Sequence, residues 1–259
     1  MIRRTLIRAV LFTLGAVSLD AQRVQTGFLD RTVTLTGQTY RYQVYVPASY
    51  SADTSWPVIL FLHGAGERGS DGLLQTTVGL AAAIRGDPTR YPAIAVFPQV
   101  PRDSQWVGTP ADVAIAALMA TMREFAVDSA RLYLTGLSMG GHGTWYLAYR
   151  HPALFAAIAP ICGWIREFPR FAGSVPVVPS DSGDAIAALA RRLAGIPIWI
   201  FHGEMDAVVP PDGSREPAAA LRAASANARY TEYLGLGHNS WDATYASAEF
   251  TQWLFAQRK

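Results

Sequence analysis

The 259-residue chain has one cysteine, Cys162, so no disulfide can close within it and its stability must come from a hydrophobic core. Charge is scarce as well, at 16% Asp, Glu, Lys and Arg, with a formal net charge of +2. Of 22 basic and 20 acidic residues, Arg3, Arg4, Arg8 and Asp20 fall in the first 21 positions, which leaves 19 of each sign in the remainder. Such a balance supplies no clustered basic excess for nucleic acid or an anionic membrane. The apolar run 9–19 is far shorter than the about 20 residues of a transmembrane helix. There is no H-E-x-x-H and no paired-cysteine motif, and His202-Gly203-Glu204 has no partner at ligand spacing, so neither a metal nor a cofactor is expected. Internal repeats and low-complexity tracts are also missing, which excludes solenoid and linker architectures.

What is present is apolar: half of the residues, enough for one large α/β domain. Arginines followed by the run 9–19 and by the small residue Ala21 read as a secretory signal peptide over 1–21, with a mature domain over 22–259 that is secreted or periplasmic. Arg3-Arg4 leaves open whether export is by the general or the twin-arginine route.

Strand and helix signals alternate through the rest. Residues 31–36 and 41–46 flank Gly37-Gln38 and read as a hairpin. The continuous apolar run 58–62 suits a strand buried on both faces, and 94–97, 132–135, 155–161, 198–202 and 230–234 follow as further strands. Helices are expected over 73–84, 109–125 (opened by a capping box at Thr109), 139–151, 215–226 and 241–256. The total predicts a mostly parallel sheet of eight strands with an antiparallel start and helices on both faces. Residues 163–195, with Pro169, Pro176 and Pro179, read as a cap-like insertion over the site.

The centre of this pattern is Gly136-Leu137-Ser138-Met139-Gly140, a G-x-S-x-G between a buried strand and a helix. A serine on so tight a turn has its hydroxyl pushed out of the sheet, and the flanking glycines remove Cβ atoms that would clash. A serine nucleophile needs a histidine base held by a carboxylate. Of five histidines, His63 and His202 end strands in His-Gly dipeptides, where an imidazole packs and bonds to backbone; His151 closes a helix. His238 lies past the last strand in a glycine-rich loop and is the expected base, with Asp206 as the orienting acid and Glu204 as the alternative. The N–H groups of Met139 and of Ala65, in the loop after the third strand, are the expected oxyanion donors. Three residues are candidates for substrate contact: Trp106 as an apolar wall, Trp241 beside the base, and His142 one turn past the serine. Loop packing is the alternative for both tryptophans. Cys162 is expected to be a buried packing residue.

The motifs around His63-Gly64-Ala65-Gly66, Ser138, His202-Gly203 with Asp206, and Gly237-His238-Asn239 occur in an order that resembles the α/β-hydrolase superfamily. The resemblance is to bacterial esterases near polyhydroxybutyrate depolymerase, feruloyl esterase and dienelactone hydrolase, and to predicted peptidases. It implies a serine carboxylesterase acting on small esters or ester-decorated polymers; the charge balance and the lack of a long exposed apolar helix add the expectation of soluble substrates and no stable membrane association. A peptidase of the prolyl oligopeptidase type and an inactive binding protein on the same fold are the alternatives.

Overall fold

Apolar runs with no polar interruption form the middle of one sheet, since every side chain there meets a covering layer. In the strand Trp56–Leu62 (β3), Val58, Leu60 and Leu62 enter one core and Ile59 and Phe61 the other, as the two-residue period of a strand requires. In this computed structural model, residues 25–169, 171 and 173–259 are described; the expected signal peptide lies outside them. The sheet has eight strands: β1 Gly27–Leu35, β2 Gln38–Val46, β3, β4 Ile94–Pro98, β5 Val127–Leu137, β6 Ala157–Ile161, β7 Ile198–Gly203 and β8 Ala228–Tyr233. Their order is β1-β2-β4-β3-β5-β6-β7-β8. Pairings involving β2 are antiparallel and all others parallel, so the expected architecture is the observed one.

Helices cover both faces. α1 (Leu80–Gly86), α6 (Trp241–Ala246) and α7 (Ala248–Phe255) place Leu80, Ile84, Tyr245, Phe250 and Leu254 against Phe61, Phe97 and Phe201. On the other face lie α2 (Thr109–Glu124), α3 (Met139–Arg150), α4 (Ala185–Leu193) and α5 (Asp212–Ala223), contributing Leu118, Trp145, Leu147, Leu189 and Leu221. Buried side chains of this size each stabilise the fold by roughly 1.5–3 kcal/mol, which stands in for the missing disulfides.

Several boundaries differ from the sequence reading for local reasons. The hairpin turn is Thr36-Gly37, at φ +48 and +82, rather than Gly37-Gln38; positive φ at both central residues is the type I′ pattern, whose twist matches that of the flanking strands. The helix expected over 73–84 is interrupted at Gly79, where φ is +64 and a Cβ would stand 2.7 Å from Leu137 Cδ2, so α1 begins only at Leu80. No capping box opens α2: its N-cap is Gly108, which has no side chain to accept a helical N–H, and Thr109 is already the first helical residue. The C-terminal helix is two, because Ser247 takes an extended conformation and its hydroxyl accepts the Phe250 N–H to start α7. The second half of the presumed cap, α4, belongs to the main core through Ile186, Leu189, Ala190 and Leu193. Only the stretch before α4 remains irregular, and Trp164, Ile165, Val177 and Val178 fasten it to the same core.

Candidate active site

Ser138 is the single residue between β5 and α3, with φ +54 and ψ −115, a conformation L side chains rarely adopt. The neighbouring backbone enforces it. A Cβ on Gly140 would stand 1.9 Å from the carbonyl oxygen of Leu62, and one on Gly136 would stand 2.4 Å from that of Gly140. Both contacts are with main chain, which cannot swing aside, so the turn can close only with glycine two residues to either side of the serine. The Ser138 N–H donates to Ile161 O (2.9 Å), tying the elbow to the end of β6.

The carboxyl ends of β7 and β8 bring the remaining groups. At the end of β7, Gly203 would place a Cβ 2.1 Å from Gly237 O, so its lack of a side chain lets the loop after β8 cross directly above it. Met205 N–H donates to Leu236 O (2.8 Å) and Glu204 N–H to Tyr233 O (3.0 Å), which lays the two loops side by side. His238 is thereby aimed at both partners: Nε2 is 2.9 Å from Ser138 Oγ and Nδ1 is 2.7 Å from Asp206 Oδ2. Of the two competing acids, Asp206 makes this contact, while the Glu204 carboxylate accepts the Gly235 N–H (2.9 Å).

The Asp206 side chain is fully buried. Burial pushes its pKa upward, but hydrogen bonds from His202, His238 and the Val209 N–H outweigh that and hold it well below the usual carboxylate range. Its Oδ1 accepts from Val208 N–H (2.8 Å) and Val209 N–H (2.9 Å). His202 Nε2 lies 3.1 Å from Oδ2, and His202 Nδ1 lies 2.7 Å from Ser214 Oγ on α5. His202 Nε2 also lies 2.9 Å from Val209 O, the backbone bond its His-Gly setting suggested, and the two side-chain partners come in addition to it. The sequence signal for this was its even-numbered position in β7, which turns it to the α5 side with Ile198 and Ile200.

Leu62 of β3 pairs with Gly136 of β5, so in register the loop after β3 faces the residues around Ser138. Gly64 touches this turn, since a Cβ there would meet Leu137 Cδ1 at 2.8 Å. Met139, first in α3, and Ala65, first in a short 3-10 turn, each have an N–H with no partner inside their helix. Arg68 Nε donates to Ala65 O (2.9 Å), and its guanidinium lies 5.5 Å from the Phe171 ring, which links this loop to the irregular segment after β6.

The three proposed substrate contacts fare differently. Trp106 is fully buried: its indole N–H donates to His63 O (2.9 Å), and a Cβ on Gly143 would stand 2.4 Å from its own Cβ. It has no surface to offer a ligand, and the expectation of an apolar wall is corrected to one of a core residue locking two loops to α3. His142 is also fully buried, stacked on Trp164 at 4.9 Å with Nδ1 3.0 Å from Trp164 O; burial lowers its pKa to about 4. Its ring is closed off from solvent, so the expected substrate contact has no open surface at His142. Trp241 is half-buried and stands edge-on to His238, with centroids 5.4 Å apart. His63 bonds to backbone as expected, through Gly64 O (2.6 Å) and Val100 N–H (3.0 Å).

Cys162 directly follows β6, with φ +42, and is fully buried. It is the buried residue expected, and its Sγ, an Asp206 oxygen and a His238 ring nitrogen lie within 4.8 Å of one another. Burial drives the thiol far above its ordinary pKa. A buried neutral thiol, with a carboxylate and an imidazole already bonded to each other, is a poor ligand set for zinc, which takes thiolate.

Comparison with known proteins identifies the family of the chain. The Esterase family model matches residues 34–256. A thermostable esterase of known structure is 34% identical, with a TM-score of 0.77 over 90% of this chain and 63% of its own. A ferulic acid esterase from Anaeromyces mucronatus, 17% identical, shares the fold with a TM-score of 0.64 over 91% of this chain and 92% of its own. An uncharacterized secreted protein of Arthroderma benhamiae is 26% identical over 214 residues, which is 75% of this chain. The chain spans only 22% of that protein's length. With a match over most of its length, the chain belongs to the esterase family of the α/β-hydrolase superfamily.

Proposed function

We propose that the protein is a serine carboxylesterase with Ser138 as nucleophile, His238 as general base and Asp206 as the acid that orients it. The observation that carries this reading is the continuous chain Ser138 Oγ, His238 Nε2, His238 Nδ1, Asp206 Oδ2, at 2.9 and 2.7 Å. Ser138 attacks the ester carbonyl as His238 takes its proton, and the Met139 and Ala65 N–H groups receive the oxyanion. The same imidazole then protonates the departing alkoxide. Water, deprotonated by His238, attacks the acyl-enzyme and releases the acid with Ser138 restored. Asp206 stays ionised throughout and compensates the imidazolium.

The substrates are soluble esters of short acyl chains or small aromatic acids. A lipase lid needs a helix with a free apolar stripe, whereas the stripe of α4 is committed to the core. No described helix is long and apolar enough to cross a membrane. Export is proposed from the arginine and apolar pattern of residues 1–21, and one similar protein is named as secreted. A series of p-nitrophenyl esters from acetate to palmitate tests the substrate class. The expected kcat/KM maximum is at about two to four acyl carbons, with no jump on crossing the solubility limit. A maximum at long chains, or a jump, would refute it.

A further inference from the structure

Asp206 Oδ2 has two imidazoles on it, and only one of them faces Ser138. The second, His202, is fully buried at the end of β7. Its Nε2 lies 3.1 Å from Asp206 Oδ2 and 2.9 Å from Val209 O, both acceptors, so Nε2 carries the proton. Nδ1 is then an acceptor, and Ser214 Oγ at 2.7 Å is the donor that fixes this tautomer. Ser214 is itself fixed in the first turn of α5 and is 1% exposed.

We infer that His202, held by Ser214, is a positioning residue for the proposed acid, so that the working unit is Ser214, His202, Asp206, His238 and Ser138 in one hydrogen-bonded line. Two N–H groups of the 206–209 turn occupy Oδ1. The direction of the carboxylate about its remaining freedom is set at Oδ2, where the His202 N–H fixes the oxygen that His238 must find. This N–H also draws electron density from the carboxylate, tempering its hold on the His238 imidazolium. The inference rests on the assignment of Ser138, His238 and Asp206 given above.

Other groups around His202 bear on any pH effect. Asp206 faces it from the loop after β7, and Cys162 approaches Asp206 from the end of β6. Glu232 is its register partner on β8 and is bonded to Arg215 of α5 and to Tyr230. Hydrogen bonds from Arg215 and Tyr230 hold Glu232 low, at about 2, so this outer carboxylate keeps its charge through the working range.

The test is steady-state kinetics on p-nitrophenyl acetate across pH for His202→Leu, His202→Gln, Ser214→Ala and the His202→Leu/Ser214→Ala double variant. Expected for His202→Leu is a loss of kcat of about ten- to a hundred-fold, the worth of one hydrogen bond to a charged group, with KM unchanged. The acidic limb of the profile should move to higher pH, because an unshared carboxylate holds the imidazolium more tightly. His202→Gln, which can again present an N–H to Oδ2, should recover most of kcat. Ser214→Ala should cost several-fold alone and nothing further in the His202→Leu background, as members of one line are not additive.

A general packing defect would lower the amount of active enzyme without moving the limb, and Gln would not rescue it; either result overturns the inference. Should His202→Leu not fold, Ser214→Ala and His202→Gln decide alone: a wild-type kcat and limb in Ser214→Ala refutes it. Failure of the underlying assignment is separately visible, as retained turnover in Ser138→Ala.

Discussion

The two halves of the candidate site are held by different physics. At the elbow, main chain meets main chain: Gly136 and Gly140 leave less than 2.5 Å for a Cβ against carbonyl oxygens, and the Ser138 conformation follows from that closure. At the ends of β7 and β8, polar side chains do the work, with Asp206 receiving hydrogen bonds from two histidines and two backbone N–H groups. A steric constraint tolerates almost no substitution, so glycine must be written at fixed spacing. A hydrogen-bonded constraint can be met by ordinary polar residues at irregular spacing, and leaves a fainter trace.

The polar half is expected to fail in function before it fails in folding. Asp206→Asn should lower kcat by about 10³–10⁴-fold, because the amide can present its N–H₂ where His238 needs an acceptor. The measurement is single-turnover release of p-nitrophenol, with circular dichroism to show that the fold persists. Stability adds a pH signature. The carboxyl pKa is lowered by folding, so its contribution is complete above the unfolded value of about 3.9 and is lost as pH falls from there toward the folded one. The Tm advantage of the wild type over Asp206→Asn should therefore narrow below about pH 4. An advantage that grows on acidification would contradict the assigned sign.

The steric half should fail the other way. Gly140→Ala drives a methyl to 1.9 Å from Leu62 O, which only backbone movement can relieve. We expect a loss of more than about 4 kcal/mol by urea unfolding, or no soluble protein at all. A stable, active variant would show that the elbow is looser than described. Trp106→Ala, in the core beside the elbow, should cost about 3–5 kcal/mol as a buried aromatic, with KM for aryl esters unchanged in the folded fraction. A several-fold rise in KM without destabilisation would restore the ligand-wall role that its burial argues against. The smallest effect belongs to Glu204→Gln, whose exposed side chain accepts one N–H from Gly235: less than about three-fold in kcat/KM. A loss matching that of Asp206→Asn would mean the acid has been misassigned.

This contrast also explains what the sequence made legible. The number of strands and the mostly parallel sheet follow from strand-length runs alternating with helices, and the elbow from two glycines and a serine; the order in which the strands lie is seen only in the structure. Gly79 and Ser247 broke expected helices because a single residue leaving helical backbone conformation does not interrupt the apolar periodicity around it. The loop position of Trp106 does not reveal its burial, because the close approach depends on Gly143, nearly forty residues later. His202 was set aside as a strand-end histidine; its partner Ser214 lies beyond a proline turn, in a helix whose rotation no local pattern fixes. Cys162 reads as core by residue type and is core by exposure, but only the convergence of β6, β7 and β8 puts its sulfur beside the Asp206–His238 pair.

The most direct measurement is active-site titration with a fluorophosphonate followed by peptide mass mapping. One phosphonyl group should be found on the peptide containing Ser138, its formation proportional to the loss of ester hydrolysis, and Ser138→Ala should neither label nor turn over substrate. Labelling at another residue, or undiminished hydrolysis by Ser138→Ala, would contradict the account.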